Sequence, residues 1–120
     1  MSRRTEQVGD LIKKELAQLL AQEIKDPQIG FVTLTAVEVS PDLRLARVYF
    51  SVLGDEQVIK DSQAVLDRAK GFLRHELSQR LVIRYVPELQ FRLDRSIERS
   101  QRISDLLRQA QQQEESSGGA

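Results

Sequence analysis

Basic side chains are concentrated in one third of this 120-residue chain. Residues 68–102 hold nine lysines and arginines against four acidic residues, although the whole chain is neutral, with 18 basic and 18 acidic side chains. Runs of charge usually form a solvated helix face with mixed signs. A local excess of arginine is instead suited to phosphate, because the planar guanidinium can donate two hydrogen bonds to phosphate oxygens. The pattern indicates contact with a polyanion.

A glycine within a helical pattern lies near the start of this basic segment. In "LDRAKGFLRHEL", from Leu66 to Leu77, apolar residues keep helical spacing on both sides of Gly71. Glycine in a helix costs about 1 kcal/mol relative to alanine. The position therefore favours either two core helices that cross closely or backbone amides that approach a phosphate chain.

The candidate nucleic-acid contacts share positive charge or proximity to this glycine. They are Arg68, Lys70, Gly71, Arg74, Arg80, Arg84, Arg95, Arg99 and Arg102, with Arg3 and Arg4 as a further basic pair near the N-terminus. A solvated charged surface is the alternative interpretation for each of them.

The residue types in this chain give little support for a catalytic function. The chain has no cysteine and a single histidine, His75, and its acidic residues are spread singly along the predicted helices. A thiolate metal site, a histidine pair for acid–base work and a Walker-type phosphate loop are all missing from the sequence. No apolar stretch approaches the roughly 20 residues of a membrane span. We expect a soluble cytoplasmic protein that is not an enzyme and needs no metal or cofactor.

The elements that must position the candidate residues follow from apolar periodicity. Residues 8–24 have helical spacing, with Thr5 as the expected cap and Leu11 among the core-facing positions. The segments "FVTLTAVEV" and "RLARVYFSVL" alternate as strands and are joined by the turn "SPDL", which predicts an antiparallel hairpin. In the second strand Ala46, Val48, Phe50 and Val52 are expected to face the core.

The second half of the chain has three further elements and a tail. Asp55 is expected to cap a helix that reaches Gly71, where the chain either bends one helix or begins a second. Phe72 and Leu73 are expected on the buried face of the helical segment that follows. "VPELQFRLD" predicts a third strand. Asp94 or Ser96 is expected to cap a last helix whose apolar face is Ile103, Leu106, Leu107 and Ala110. The polar residues 109–120 are expected to be disordered. The sequence predicts one α+β domain over residues 1–108, with a three-stranded sheet and helices on one face.

The order of elements and the glycine junction together resemble a known family. The order α-β-β-α-α-β is that of a type II KH domain, in which two helices usually meet at a Gly-x-x-Gly loop. This chain has Ala69-Lys70-Gly71 instead. That kinked Ala-x-Gly junction, with "VEVSPDL" and "IRYVPELQFRLDRSIERSQRI", resembles the ribosome-binding factor A family of bacterial small-subunit assembly factors.

The resemblance implies a function as well as a type II KH-like fold. It implies binding to the immature small (30S) ribosomal subunit and its 16S rRNA during late maturation and pre-rRNA end processing, a link to growth in the cold, and release helped by an assembly GTPase. A monomer is expected. Without Gly-x-x-Gly, shape-dependent rRNA contacts are favoured over sequence readout. The alternative is a protein-interaction module that does not bind RNA directly.

Overall fold

Two helices pack on one face of a three-stranded sheet in a computed structural model of the chain, which describes residues 3–95. The elements in chain order are α1 (Arg3–Glu23), β1 (Phe31–Val39), β2 (Leu45–Leu53), α2 (Glu56–Arg80) and β3 (Glu88–Leu93). The central strand β2 pairs antiparallel with β1 and parallel with β3. A parallel pair needs a long crossover connection, which α2 supplies. The predicted α+β fold and hairpin are confirmed.

The core lies between the sheet and the two helices. In β2, Ala46, Val48 and Phe50 have no solvent exposure, as the strand alternation predicts. Burying a large apolar side chain contributes about 1.5–3 kcal/mol, so this face determines how the helices dock. Leu11 and Phe72 were expected on the buried faces but are 48% and 45% exposed. That expectation was wrong, because the adjacent residues Ile12 and Leu73 occupy the centre of each buried stripe.

A β-bulge in β1 keeps both halves of that strand in phase with the core. Leu34 lies opposite Phe50, but Ala36 lies opposite Tyr49, so Thr35 is an extra residue. Successive strand residues point to opposite faces, and one inserted residue therefore exchanges the set that faces inward. Leu34 before the bulge and Val39 after it are consequently both buried.

The sequence predicted the start of α2 correctly but not the start of α1. The side chain of Asp55 accepts a hydrogen bond from the Val58 amide at 3.0 Å, which confirms it as the cap of α2. Helix α1 instead begins at Arg3, and Thr5 is a buried residue of its first turn. The expected cap at Thr5 is therefore wrong.

Helix α2 continues without interruption through Ala69, Lys70 and Gly71 over its 25 residues. Of the two alternatives at Gly71, the division into two helices is thereby corrected. Gly71 is exposed, and a Cβ atom built on it would have no heavy atom within 4 Å, so a close helix crossing does not explain this glycine either. The apolar face continues from Leu66 to Leu73, and its burial outweighs the helix propensity lost at one glycine.

The predicted last helix and the polar tail lie outside the described residues. Within residues 3–95, no helix combines the length and the apolar character needed to cross a bilayer.

Candidate nucleic-acid interface

Three of the candidate arginines form ion pairs. Arg68 contacts Asp26 at 3.4 Å, Arg80 contacts Glu15 at 3.8 Å, and Arg95 contacts Glu56 through two bonds of 3.1 and 3.2 Å. Phosphate can compete for these arginines only by displacing a carboxylate. For the more exposed pairs of Arg68 and Arg95 this costs up to about 1 kcal/mol. Their role as nucleic-acid contacts stays a prediction.

Arg74 cross-links α2 to the segment that precedes β3. Its Nε and Nη2 atoms donate to the Val86 carbonyl at 3.1 and 3.0 Å, and Nη2 also donates to the Tyr85 hydroxyl at 3.0 Å. The guanidinium carbon lies 5.4 Å from the centre of the Tyr85 ring. Charge-assisted bonds of this kind are strong and directional. Arg74 therefore holds Tyr85 in a fixed position.

Two further candidates, Arg4 and Arg84, meet a third arginine in an open cleft of about 770 Å³. The third is Arg44, from the loop between β1 and β2, and the cleft is also lined by Tyr85 and Asp42. We call this group of residues and the space between them the cationic cleft. It collects positive charge from the first turn of α1 and from two loops that lie far apart in the chain.

The sheet register brings the loop that carries Arg44 next to the loop that carries Arg84. Leu45 and Glu88 are partners at the start of the parallel strands β2 and β3, and the Glu88 amide donates to the Arg44 carbonyl at 2.8 Å. The loops that enter these two strands must therefore lie side by side. Sequence reasoning missed Arg44 because it lies outside the basic segment, and the turn "SPDL" just before it was the only local signal.

Hydrogen bonds around Asp42 shape the loop that carries Arg44. The Ser40 hydroxyl donates to Asp42 Oδ1 at 2.6 Å, the Arg44 amide donates to the same oxygen at 3.1 Å, and the Leu45 amide donates to Ser40 Oγ at 3.0 Å. The first two of these bonds are the largest causes that lower the pKa of Asp42 from its usual range. Leu43 has a φ of 62°, an uncommon backbone conformation for a leucine. An ionised Asp42 therefore stabilises the turn that presents Arg44.

The arginines of the cationic cleft form no ion pair among residues 3–95, although the charge of Arg44 helps to lower the pKa of the neighbouring Asp42. The ion pairs found among residues 3–95 do not include Arg4, Arg44 or Arg84. Asp42 is the acidic residue of the cleft lining, so three positive charges face one negative charge there. Because a phosphate would not have to displace a carboxylate bonded to these arginines, they are better placed for anion binding than the paired arginines.

The other candidate residues lie elsewhere. Arg3 precedes Arg4 at the exposed start of α1, and Lys70 is half-buried on α2. Because Gly71 lies inside α2, its amide has an intrahelical acceptor, and the anion site of free amides expected at a helix start does not form there. Arg99 and Arg102 lie outside the described residues. Residues 3–95 bring together no group of three His, Asp or Glu side chains that could hold a metal ion.

Comparison with known proteins shows which family has this fold and sequence. The family model for "Ribosome-binding factor A" matches residues 4–107. The chain belongs to the ribosome-binding factor A family. A ribosome-binding factor A from Heliobacterium modesticaldum is 58% identical over 104 residues, which cover 87% of this chain and 86% of the relative.

Solved structures of ribosome-binding factor A agree with the fold. The crystal structure of the protein from Thermus thermophilus matches with a TM-score of 0.67 at 27% identity, covering 77% of this chain and 98% of that one. A homology model of the Thermus thermophilus ribosome-binding factor A, fitted into a cryo-EM map of a 30S complex with that protein, matches with a TM-score of 0.59 at 24% identity. The match covers 80% of this chain and 97% of that one, and the likeness shows a shared fold.

Proposed function

We propose that this family member is a non-enzymatic assembly factor that binds RNA of the small ribosomal subunit through the cationic cleft. The observation that carries the proposal is the convergence of Arg4, Arg44 and Arg84 on one open space, where three positive charges exceed the single charge of Asp42 and none of the three forms an ion pair among residues 3–95. Membership of the ribosome-binding factor A family supports the ribosome as the target. The 30S complex of a Thermus thermophilus relative supports the small subunit.

The cleft would act by neutralising phosphates. Each phosphate contact releases condensed counterions, so the logarithm of the affinity falls with the logarithm of salt at about −0.7 per phosphate for a single strand. Phosphate contacts position a protein on RNA without reading its sequence. The protein would therefore recognise an arrangement of RNA backbone that is specific to an assembling subunit.

The finer parts of the function are supported by the family resemblance. We propose that the target is 16S rRNA in a late precursor of the subunit, that binding assists end processing of the precursor RNA, and that cells need this step most in the cold. An assembly GTPase would promote release. The protein would act in the cytoplasm as a monomer.

Sedimentation of the full-length protein with purified ribosomal particles tests this function. We expect the protein to travel with free small subunits and to be absent from large subunits and translating ribosomes. Incubation with RNA or GTP should give no turnover above a blank. Failure to travel with small subunits, or equal retention by both subunits, would refute the proposal.

A protein contact is a second candidate function, favoured by one apolar surface. Phe31 and Leu53 are opposite each other in the β1–β2 pair and are 73% and 78% exposed. Phe31 also borders a groove of about 410 Å³ between α1 and β1, which is lined mainly by apolar residues such as Leu20 and Ile24. Replacing Phe31 and Leu53 with serine should leave RNA binding intact. If it instead abolished subunit association, a ribosomal protein would be the principal contact.

A further inference from the structure

We propose that the cationic cleft binds single-stranded RNA by stacking one unpaired base on Tyr85 while Arg4, Arg44 and Arg84 hold the adjoining phosphates. This inference rests on the RNA-binding function proposed above and specifies the form of RNA that the cleft accepts. It assigns to Tyr85 a role that the basic segment alone does not suggest.

Tyr85 is both accessible and fixed in position. Its side chain lines the cleft and is 53% exposed, although tyrosine is a large residue in a short loop. The bond from Arg74 to its hydroxyl and the nearby guanidinium restrain the ring. A ring that is already ordered loses little conformational entropy when a base stacks on it, so more of the stacking energy is retained on binding.

The surroundings of the ring match the parts of a nucleotide. Val82, which is fully exposed, and Leu43 line the same cleft as the ring and add apolar surface to it. The three arginines supply charge around this apolar area. A base needs a flat apolar surface and its phosphates need cationic groups, and the cleft offers both within one space. An acidic peptide would use the arginines but would leave the aromatic ring without a function.

Single-stranded RNA fits this arrangement better than a duplex. In an A-form helix the bases are stacked on each other, and sequence-tolerant proteins contact the sugar and phosphate groups instead. A tyrosine can stack only on a base that has left the helix, as in a loop, a bulge or an unpaired end. Among the described residues that line the cleft, Tyr85 is the one aromatic residue, so the cleft supplies one stacking position rather than a series.

The two tyrosines and the absence of tryptophan allow a direct test in the full-length protein. In a Tyr49→Phe variant, Tyr85 is the only tyrosine and the source of the intrinsic fluorescence. The probes are a short oligoadenylate and a blunt RNA duplex of the same length, with correction for absorption by RNA. We expect oligoadenylate to quench Tyr85 fluorescence and the duplex to leave it unchanged. Quenching by neither probe, or equally by both, would refute stacking.

Affinity measurements separate stacking from the positioning bond to Arg74. Tyr85→Leu should weaken binding of oligoadenylate about 5- to 150-fold, the range for loss of one stacked base. Tyr85→Phe keeps the ring and should weaken it by less than about threefold. Tyr49→Leu, on the open face of the sheet, is the control and should bind as the wild type does. Thermal unfolding of each variant reports whether the fold is retained.

The outcomes distinguish this inference from the proposed function. If Tyr85→Leu folds and binds oligoadenylate like the wild type, the stacking proposal is wrong, whatever the result with small subunits. If the wild type travels with small subunits in that case, the proposed function stands and the cleft contacts only phosphates. If the wild type binds neither particle nor oligoadenylate, both proposals fail.

Discussion

The placement of arginines, rather than their number, should control the salt dependence of RNA binding. Two triple variants test this expectation. One replaces the cleft residues Arg4, Arg44 and Arg84 with alanine, and the other replaces the ion-paired residues Arg68, Arg80 and Arg95. Each variant removes three of 18 basic side chains and takes the formal net charge from zero to −3. The two proteins are therefore matched in charge and differ in where it was lost.

The structure sets the expected magnitude. At about −0.7 per phosphate, three cleft arginines contribute a slope of about −2 to the plot of log affinity against log salt. A fourfold rise in salt concentration then reduces the factor that these arginines contribute to the RNA affinity about 20-fold. Each paired arginine must first leave its carboxylate. Breaking that ion pair reduces the free energy gained from a new phosphate contact by up to about 1 kcal/mol. The control variant should therefore keep a slope within about half a unit of the wild type.

Fluorescence anisotropy of a labelled RNA across a salt series measures both slopes. Sedimentation with small subunits checks that the cleft variant also binds the subunit more weakly than the control variant. The cleft variant should bind more weakly at low salt and should lose less affinity as salt rises. Equal loss of slope in the two variants would mean that overall charge decides binding. An unchanged slope in the cleft variant would mean that the RNA surface lies elsewhere.

Three further predictions concern the fold. Gly71→Ala should raise the free energy of unfolding by up to about 1 kcal/mol because its site is exposed and open, whereas Gly54→Ala should lower it because Gly54 has a φ of +148°; urea titration measures both. Leu73→Ala should cost about 2–5 kcal/mol and Phe72→Ala about 1 kcal/mol or less, and similar losses would contradict the core described above. Asp42→Ala should lower stability near neutral pH, where the carboxyl is ionised, and the difference from wild type should vanish as pH falls through the lowered pKa of the folded state.

The sequence predicted helices and strands correctly where buried residues recur at regular helical or strand spacing. The alternation in β2 correctly assigned Phe50 to the core, and Asp55 was recognisable as a cap because capping depends on local chemistry. The bulge at Thr35 was not predictable in the same way. The bulge adjusts the register of β1 against β2, and the sequence of neither strand alone specifies that register.

The junction at Gly71 shows where local preference and tertiary packing diverge. Glycine lowers helix propensity, and the local pattern therefore suggested a break. The apolar residues on both sides face the same core, and their burial keeps α2 continuous across the glycine. Packing outweighs propensity here because several buried leucines contribute more free energy than one glycine costs.

The sequence by itself determined the α+β class, the hairpin, the excess of arginine and the family, because these depend on residue type and spacing along the chain. Tertiary structure alone decided which arginines are available. It paired Arg68, Arg80 and Arg95 with carboxylates and placed Arg44 in the same cleft as Arg84, 40 positions further along the chain. The physical reason is that electrostatic interaction depends on distance in space. The parallel register of β2 and β3 sets that distance.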